Sequence, residues 1–274
     1  MPHSDSDHAF DACVEALSRA PAGLFTDFDG TISNVANSPG EAVLAANAED
    51  ALTALGESLA VMAIVTGRSA DDARTLVSGE HVSIIGNHGL ERITEFGRVV
   101  HPDALPQIDQ IAQTVALIRQ ELAEDAATQG ALFENKGLSA SIHYRQTPDR
   151  DAARLRILDL VKREAQARGL HVTEGRLVIE LRPTVSVNKG TAVVEVITEL
   201  GLRGSVYIGD DVTDLDAFKA LKSLTGDDFT GTSVVVLSPE TDPRVREYAD
   251  VTVDGVDDCV ALLERLGEYF GVRG

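Results

Sequence analysis

The chain has 274 residues, 43% of them hydrophobic and 25% charged, which is typical of a globular enzyme with one large domain or two small ones. The formal charge of −20 at pH 7 argues against a nucleic-acid partner, because the chain has no excess of basic residues to follow a phosphate backbone. An anionic substrate would therefore need a locally positive site within a globally acidic protein.

The cysteine content and the first residues bear on the compartment. Two cysteines, Cys13 and Cys259, in a chain of this length favour a reducing compartment over a disulfide-stabilised scaffold. Residues 1–11 are polar and acidic, so we expect no signal peptide, and no apolar run approaches the length of a membrane span. The sequence thus predicts a cytoplasmic protein that does not contact membranes. We also expect a monomer, although none of these features fixes the oligomeric state.

Residues 1–100 alternate between strand-like and helix-like segments. We predict loose residues 1–8, a helix over 9–19, a strand from Gly23, a polar loop over 31–40, a helix over 48–59, a strand over 60–65, a helix capped by Ser69, a strand over 82–85, and a hairpin of 90–94 with 98–100. Strands and helices that alternate at this spacing indicate a parallel sheet. We expect the polar loop to cover a site at the carboxyl edge of that sheet.

The pattern changes between Pro102 and Pro183. Here we predict helices over 108–122 and 149–168 and strands over 132–136, 138–145, 172–174 and 177–182, which together form a separate α+β domain. The parallel pattern then resumes, with helices over 189–200, 213–221 and 256–270 and strands over 205–208 and 233–237. The predicted organisation is a doubly wound α/β core formed by residues 1–103 and 184–274, with a domain inserted at 104–183.

Two aspartates follow the first predicted strand, in Phe25-Thr26-Asp27-Phe28-Asp29-Gly30-Thr31. Carboxylates this close repel each other and need a cation, a shared proton or strong hydrogen bonds. They could hold a divalent metal, with one carboxylate attacking phosphorus and its neighbour moving a proton. A metal-free Asp-Gly turn accounts for the pair equally well.

Two further segments suit phosphate. Thr66-Gly67-Arg68 combines a hydroxyl, an accessible backbone N–H and a helix N-terminus, which together bind phosphate oxygens, although an ordinary strand-to-helix turn is the simpler interpretation. Lys189 begins a helix, where its charge opposes the helix dipole unless an anion lies beside it.

A second acidic group follows the strand over 205–208. Asp210, Asp211 and Asp214 lie in one short segment and would repel one another strongly without a cation. Mg²⁺ takes one or two carboxylates together with water and substrate oxygens, so a metal is the favoured interpretation for Asp210. All of these motifs follow strands of one predicted sheet or begin helices that pack on it. They therefore predict a single site at the carboxyl edge of that sheet.

In this order the motifs resemble the haloacid dehalogenase superfamily. There the first aspartate of the pair, here Asp27, is the nucleophile that becomes phosphorylated, and the second, here Asp29, is the general acid and then the base. The resemblance implies a Rossmann-like core with an inserted α+β cap of the C2B type. It also implies a set of site residues: Mg²⁺ ligands Asp27, the backbone carbonyl of Asp29, Asp210 and Asp211; phosphate contacts from Thr66 and Lys189; and Asp214 supporting Lys189.

Longer blocks resemble the trehalose-6-phosphate phosphatases within that superfamily. The blocks are Thr66-Gly67-Arg68, Gly86-Asn87-His88-Gly89-Leu90-Glu91, Glu134-Asn135-Lys136-Gly137, Ile142-His143-Tyr144-Arg145, Glu180-Leu181-Arg182-Pro183 and Gly209-Asp210-Asp211-Val212-Thr213-Asp214. The resemblance implies hydrolysis of trehalose 6-phosphate to trehalose and phosphate, with substrate contacts from Gly67, Arg68, Asn87, His88, Gly89, Glu134, Lys136, Arg145, Glu180 and Arg182. The loop around Asn34 departs from the family, because it lacks the expected proline.

The inserted domain has a polar face of its own. Apolar and polar residues alternate over 138–145 and 177–182, so one face of the predicted sheet is buried and the other is open. The open face would carry acids and bases together, which suits a ligand with many hydroxyl groups. A solvated sheet face explains the same pattern. We favour substrate recognition, because the insert should lie over the catalytic edge and because of the family resemblance.

Other functions use the same motifs. Another sugar-phosphate phosphatase, acting on sucrose phosphate or a glycosyl phosphoglycerate, and a phosphohexomutase remain alternatives within the superfamily. A phosphoacceptor signalling switch also combines strand-end acids, Mg²⁺, a threonine and a lysine, but it has no use for a charged inserted domain.

Overall fold

The computed structural model describes residues 5–36 and 38–271. Within these residues the chain divides into two compact units. The larger contains residues up to 36, 42–99 and those from 187 onward, and the smaller contains 38–41 and 100–186. No helix in the described part of the chain combines the length and the apolar composition that a membrane span requires.

Strands form one sheet in each unit. In the described residues they are β1 (Ala22–Thr26), β2 (Val61–Val65), β3 (Val82–Gly86), β4 (Glu91–Thr94), β5 (Gly97–Val100), β6 (Leu132–Asn135), β7 (Ala140–His143), β8 (His171–Gly175), β9 (Val178–Arg182), β10 (Gly204–Gly209), β11 (Thr230–Leu237) and β12 (Val251–Asp254). The larger sheet has the order β12-β11-β10-β1-β2-β3-β4-β5. It is parallel from β12 to β3, and β4 joins β3 antiparallel.

Helices cover both faces of the larger sheet. Over the same described residues the α-helices are α1 (Asp5–Leu17), α2 (Ala48–Ser58), α3 (Ala70–Leu76), α4 (Ile108–Glu121), α5 (Arg150–Arg168), α6 (Lys189–Leu200), α7 (Leu215–Leu224), α8 (Pro243–Tyr248) and α9 (Gly255–Gly271). Successive residues of β1 face opposite sides of the sheet and belong to different apolar clusters. Leu24 packs among α1, α2, α3 and α9, and Phe25 packs among α6, α7 and α8. The predicted doubly wound core therefore forms because its central strands are apolar on both faces.

The smaller unit is a four-stranded antiparallel sheet with the order β6-β7-β9-β8. Ile142 and Ile179 lie on the face that packs against α4 and α5, where Ile111 and Ile157 complete the apolar cluster. Asp149 caps α5, because its Oδ1 accepts hydrogen bonds from the N–H groups of the first turn. The α+β arrangement predicted for this segment, with both helices on the apolar face, is confirmed.

Two predictions of local structure were wrong, and two short elements were missed. Residues 5–8, predicted to be loose, belong to α1, whose first turn is held by bonds from Arg265 of α9 to Ser6 and Asp7; residues 1–4 lie outside the described residues. The expected polar loop is also partly core, since residues 31–33 are fully buried and Ser33 bonds to Gly30 and Val43. Asn37 of that loop lies outside the described residues. Strand β12 and helix α8 were not predicted, because each is short.

Candidate active site

Strand order brings the predicted residues of the larger unit to one edge. Strand β1 lies between β10 and β2, and Thr26 is level with Ile208 on one side and Ile64 on the other. All three strands are parallel, so the residues that follow them emerge at the same edge. Asp27 follows β1, Asp210 follows β10 and Thr66 follows β2, and all three are buried.

A buried ion-pair network joins Asp27 to the start of α6. Lys189 Nζ lies 2.9 Å from Asp27 Oδ1 and 2.7 Å from Asp214 Oδ1, and Lys189 is only 2% exposed. A lysine at the first position of a helix is unfavourable for the dipole, and here the carboxylates of Asp27 and Asp214 lie beside its charge. Asn188 caps the helix through the N–H of Thr191, which fixes the direction from which Lys189 enters the site.

Asp214 is the hydrogen-bond centre of this network. Its Oδ1 accepts from Lys189 Nζ and from the Tyr207 hydroxyl, the latter at 2.7 Å. Its Oδ2 accepts from the backbone N–H groups of Asp210 and Asp211, at 3.1 and 3.0 Å. Four bonds use the four lone-pair directions of an ionised carboxylate. Asp214 therefore holds the lysine and the acidic segment in place.

Burial and these contacts change the proton affinities. Burial raises the pKa of Asp27 to about 7, although the neighbouring ammonium of Lys189 opposes the change. Burial alone would lower the pKa of Lys189, but Asp214 and Asp27 together raise it above its ordinary value. Burial and the charge of Asp214 raise the pKa of Tyr207, so its hydroxyl stays a donor at neutral pH. The lysine is thus a permanent cation at the strand edge.

The acidic side chains at this edge fit a divalent cation. Carboxylate oxygens of Asp27, Asp210 and Asp214 lie within 4.8 Å of one another. Hard cations such as Mg²⁺ prefer such oxygen donors, and one or two carboxylates suffice. Since the acceptor positions of Asp214 are used, Asp27 and Asp210 are the residues that would hold the metal. Asp211, predicted as a ligand, lies outside this group, and its backbone N–H donates to Asp214 instead.

Arg68 binds the second aspartate of the pair. Its Nε and Nη2 donate to the two carboxylate oxygens of Asp29 at 2.7 and 2.8 Å, and its Nη1 donates to Asp72 at 2.7 Å. The guanidinium also lies over the ring of Phe28. Bidentate pairs of this kind are strong and directional. Arg68 was predicted to contact substrate, and in the structure it orients Asp29.

The residues after β2 and β3 lie against each other. The N–H of His88 donates to the Thr66 carbonyl at 2.9 Å, and Thr66 Oγ1 accepts from the Arg68 N–H. A Cβ at Gly67 would lie 2.6 Å from two atoms of the His88 ring, so only glycine allows this approach. Asn87 and Gly89 complete the turn, with φ of 48° and 105°.

The polar face of the smaller sheet is held together by ion pairs. Strand register aligns Glu134, Ser141 and Glu180 in one row. Glu180 Oε1 accepts from Ser141 Oγ and from Lys136 Nζ, both at 3.0 Å, and Glu134 lies 3.0 Å from His143 Nε2. The face was predicted to be open, but Ser141 is fully buried and Glu180 only 7% exposed.

Arg145 and Arg182 were also predicted for this face. Both are partly exposed, and strand pairing places Arg182 opposite His171, in the row next to Glu180. The mixture of acids and bases on one face, predicted from the alternation, is thus present, and the structure adds the hydroxyl of Ser141.

Sequence reasoning missed two residues of the site. Tyr207 lies inside an apolar strand, and its signal was that a buried tyrosine hydroxyl almost always has a partner. Asp72 was not predicted for the site. Its N–H donates to Ser69 Oγ in the predicted helix cap, and its carboxylate also binds Arg68.

Relatives resemble this chain over most of its length. The trehalose-phosphate phosphatase of Mycolicibacterium paratuberculosis (strain ATCC BAA-968 / K-10) is 34% identical over 227 residues, which are 80% of this chain and 56% of that protein. An uncharacterized glycosyl hydrolase of Mycobacterium tuberculosis (strain ATCC 25618 / H37Rv) is 37% identical over 234 residues, or 82% of this chain and 17% of that protein. The chain thus spans less than two thirds of either relative.

Solved structures share the fold at low sequence identity. The C-terminal domain of trehalose-6-phosphate phosphatase from C. albicans has a TM-score of 0.76 at 19% identity and covers 97% of this chain and 98% of its own. A haloacid dehalogenase-like hydrolase from Bacteroides thetaiotaomicron has a TM-score of 0.60 at 16% identity and covers 89% and 99%. The predicted haloacid dehalogenase fold is therefore confirmed.

A sequence model of the family described as trehalose-phosphatase matches residues 25–257. The match begins just before Asp27 and includes Lys189, Asp210 and every residue of the ion-pair network. With a match over most of its length, the chain belongs to the trehalose-phosphatase family.

Proposed function

We propose that this chain hydrolyses trehalose 6-phosphate to trehalose and inorganic phosphate. The observation that carries the proposal is the buried Asp27–Lys189 pair beside Asp210 at the strand edge. A carboxylate held next to a fixed cation, in an edge where a metal would fit, suits attack on a phosphate monoester. Membership of the trehalose-phosphatase family supports the choice of sugar.

The reaction would proceed in two steps on the chain's own carboxylates. Asp27 attacks phosphorus, the bond from phosphorus to the sugar oxygen breaks, and a protonated Asp29 gives its proton to that oxygen. Asp29 then takes a proton from the water that attacks the phosphoryl group on Asp27, which releases phosphate. Arg68 donates to both oxygens of Asp29 and would orient this carboxyl group for both proton transfers.

Positive charge at the edge would stabilise the transferred group. Lys189 and the hydroxyl of Thr66 would take phosphate oxygens, while Asp214 keeps Lys189 in place. Mg²⁺, held by Asp27 and Asp210 with the backbone carbonyl of Asp29, would supply charge neutralisation of the phosphate. Asp211 would hold water near that group. The nearby Gly67, Arg68, Asn87, His88 and Gly89 would complete the contacts to the phosphate ester.

The polar face of the smaller unit would recognise the sugar. A polyhydroxylated ligand needs donors and acceptors side by side, and Glu134, Lys136 and Glu180 supply both. Arg145 and Arg182 would add charged donors at the margins of the face. A domain inserted at residues 104–183 would then carry specificity, separate from the phosphate chemistry of the core. A monomer in a reducing compartment stays a prediction.

A substrate panel with and without chelator tests the proposal. We expect phosphate release from trehalose 6-phosphate to exceed release from sucrose 6-phosphate and glucose 6-phosphate, to stop with EDTA and to return with Mg²⁺. Asp27→Asn should abolish turnover while the thermal transition is retained, whereas Asp228→Asn, at an exposed acid, should change neither. Isomerised product without free phosphate would indicate a mutase, and substantial activity of Asp27→Asn would exclude Asp27 as the nucleophile.

A further inference from the structure

Glu91, the first residue of β4, is a charged side chain with no exposed surface. Its Oε1 accepts from the Ala70 N–H at 2.8 Å and from Asn87 Nδ2 at 2.6 Å, and its Oε2 contacts the guanidinium of Arg98. A buried carboxylate is costly unless charge and hydrogen bonds compensate it. We call Glu91 with Ala70, Asn87 and Arg98 the Glu91 clamp.

The clamp joins the two segments that follow β2 and β3. Ala70 begins α3, directly after the Thr66–Ser69 segment, and Asn87 begins the turn after β3. Main-chain bonds already link these segments, from Asn87 N–H to the Arg68 carbonyl at 2.6 Å and from His88 N–H to the Thr66 carbonyl. The carboxylate adds a bridge between an amide of one segment and a side chain of the other.

The turn that the clamp holds is unfavourable by itself. Asn87 and His88 have φ of 48° and 55°, a left-handed conformation that costs a non-glycine residue free energy. Such a turn persists only where surrounding contacts determine it. The clamp bond to Asn87 Nδ2 is one of those contacts, and the packing of His88 on Gly67 depends on the same turn.

Arg98 holds the clamp from the neighbouring strand. It lies on β5, is 43% exposed, and also donates to Asp71 Oδ2 in the first turn of α3 at 2.6 Å. Glu91 and Asp71 both raise the pKa of Arg98, although burial lowers it. The β4–β5 hairpin thus supplies both members of an ion pair, Glu91 and Arg98, which contact the segments that follow β2 and β3.

We propose that Glu91 and Arg98 are positioning residues, which hold the 66–70 and 86–89 segments as one rigid body and so place the side chains that those segments carry. Their effect on catalysis rests on the proposed function, because it assumes that these segments contact the substrate. Their effect on the rigidity of the two segments does not rest on the proposed function. The two effects can therefore be measured separately.

The test compares Arg98→Gln and Glu91→Gln with a control from β4, the strand of Glu91; the control is Arg92→Gln. Arg92 is next to Glu91, but it forms an ion pair at 2.7 Å with Glu199, which lies in α6 and therefore outside both segments. Amide hydrogen exchange of 66–70 and 86–91 is measured without substrate, and kcat and KM are measured with trehalose 6-phosphate. We expect both clamp variants to exchange faster in both segments and to lose about 10- to 100-fold in kcat/KM.

The double variant Glu91→Gln with Arg98→Gln makes the test specific for the ion pair. Removing both charges together leaves no buried charge without its partner, because Asp71, which also loses Arg98, has a side chain that is 68% exposed. Exchange protection and kcat/KM should therefore recover relative to Arg98→Gln alone. Unchanged exchange in Arg98→Gln, a double variant no better than the singles, or equal loosening in Arg92→Gln would each overturn the proposal. If the wild-type chain released no phosphate from trehalose 6-phosphate, the proposed function would fail, while the exchange data would still decide the clamp.

Discussion

Replacing Gly30 by alanine should weaken metal binding without unfolding the protein. Gly30 follows Asp29 with φ of +87°, and a Cβ there would lie 2.5 Å from Asp210 Cγ and 2.8 Å from its Oδ1. Non-bonded carbon atoms are comfortable at about 3.5–4.0 Å, so Asp210 would have to move by roughly 1 Å. Metal sites tolerate distance changes of only about 0.2 Å. The added methyl group therefore displaces one of the two carboxylates that we expect to hold Mg²⁺.

The backbone cost of this substitution can be separated from its effect on Asp210. A left-handed alanine costs about 1–2 kcal/mol at any position. Gly255→Ala is the matched control, since Gly255 has φ of +76° and its Cβ would meet nothing within 4 Å. Urea denaturation without metal should therefore show a loss of about 1–2 kcal/mol in Gly255→Ala and a larger loss in Gly30→Ala, where the contact with Asp210 adds to this cost.

Calorimetric titration with Mg²⁺ then distinguishes the two glycine variants. We expect the affinity of Gly30→Ala to fall by about 10- to 100-fold, as is typical when the support of a ligand is disturbed, and that of Gly255→Ala to stay at the wild-type value. Wild-type affinity in Gly30→Ala would refute the assignment of Asp210 as a ligand. An equal loss in both variants would show that backbone strain, and not displacement, is the cause.

Three further predictions concern single groups. Tyr207→Phe removes one of the four hydrogen bonds to Asp214. It should lower the free energy of unfolding, measured by urea titration, by about 1.5–3 kcal/mol, which is typical of a hydrogen bond to a charged group. An unchanged urea midpoint would contradict the role of Asp214 as the centre of the hydrogen-bond network. Burial raises the pKa of Asp27 to about 7, so below that pH a proton competes with the metal for this carboxylate. The Mg²⁺ affinity should therefore rise about tenfold per pH unit up to pH 7 and then level off. A flat calorimetric profile from pH 5.5 to 8 would disprove the competition. Glu180→Gln should raise KM for trehalose 6-phosphate and leave hydrolysis of a small aryl phosphate unchanged. Glu174→Gln is the control, because Glu174 lies opposite Ile179 on the apolar side of the same sheet, and it should affect neither substrate. Parallel losses on both substrates would argue against sugar recognition.

Local pattern was sufficient for most elements. Runs that are apolar on both faces, as in β1 and β2, are typical of central strands between two layers of helices, and the structure has them there. The alternation over 138–145 likewise predicted which side of the smaller sheet packs on helices, and Ile142 lies on that side. Short β12 and α8 carry too few residues for such a signal. The first turn of α1 depends on Arg265, which no local pattern reports.

The amino-acid sequence by itself determined the alternation of elements and the acids, lysine and threonine at the strand ends, because periodicity and strand-end position are local properties. Only the tertiary structure decided which of these groups meet. Strand register sets Asp27 beside Asp210, and helix entry brings Lys189 to both Asp27 and Asp214. The same packing assigns Asp214 to four hydrogen bonds, so that it supports Lys189, and gives the buried Glu91 its three donors. Contacts between distant segments depend on the packed geometry of the whole sheet, and no spacing along the chain encodes them.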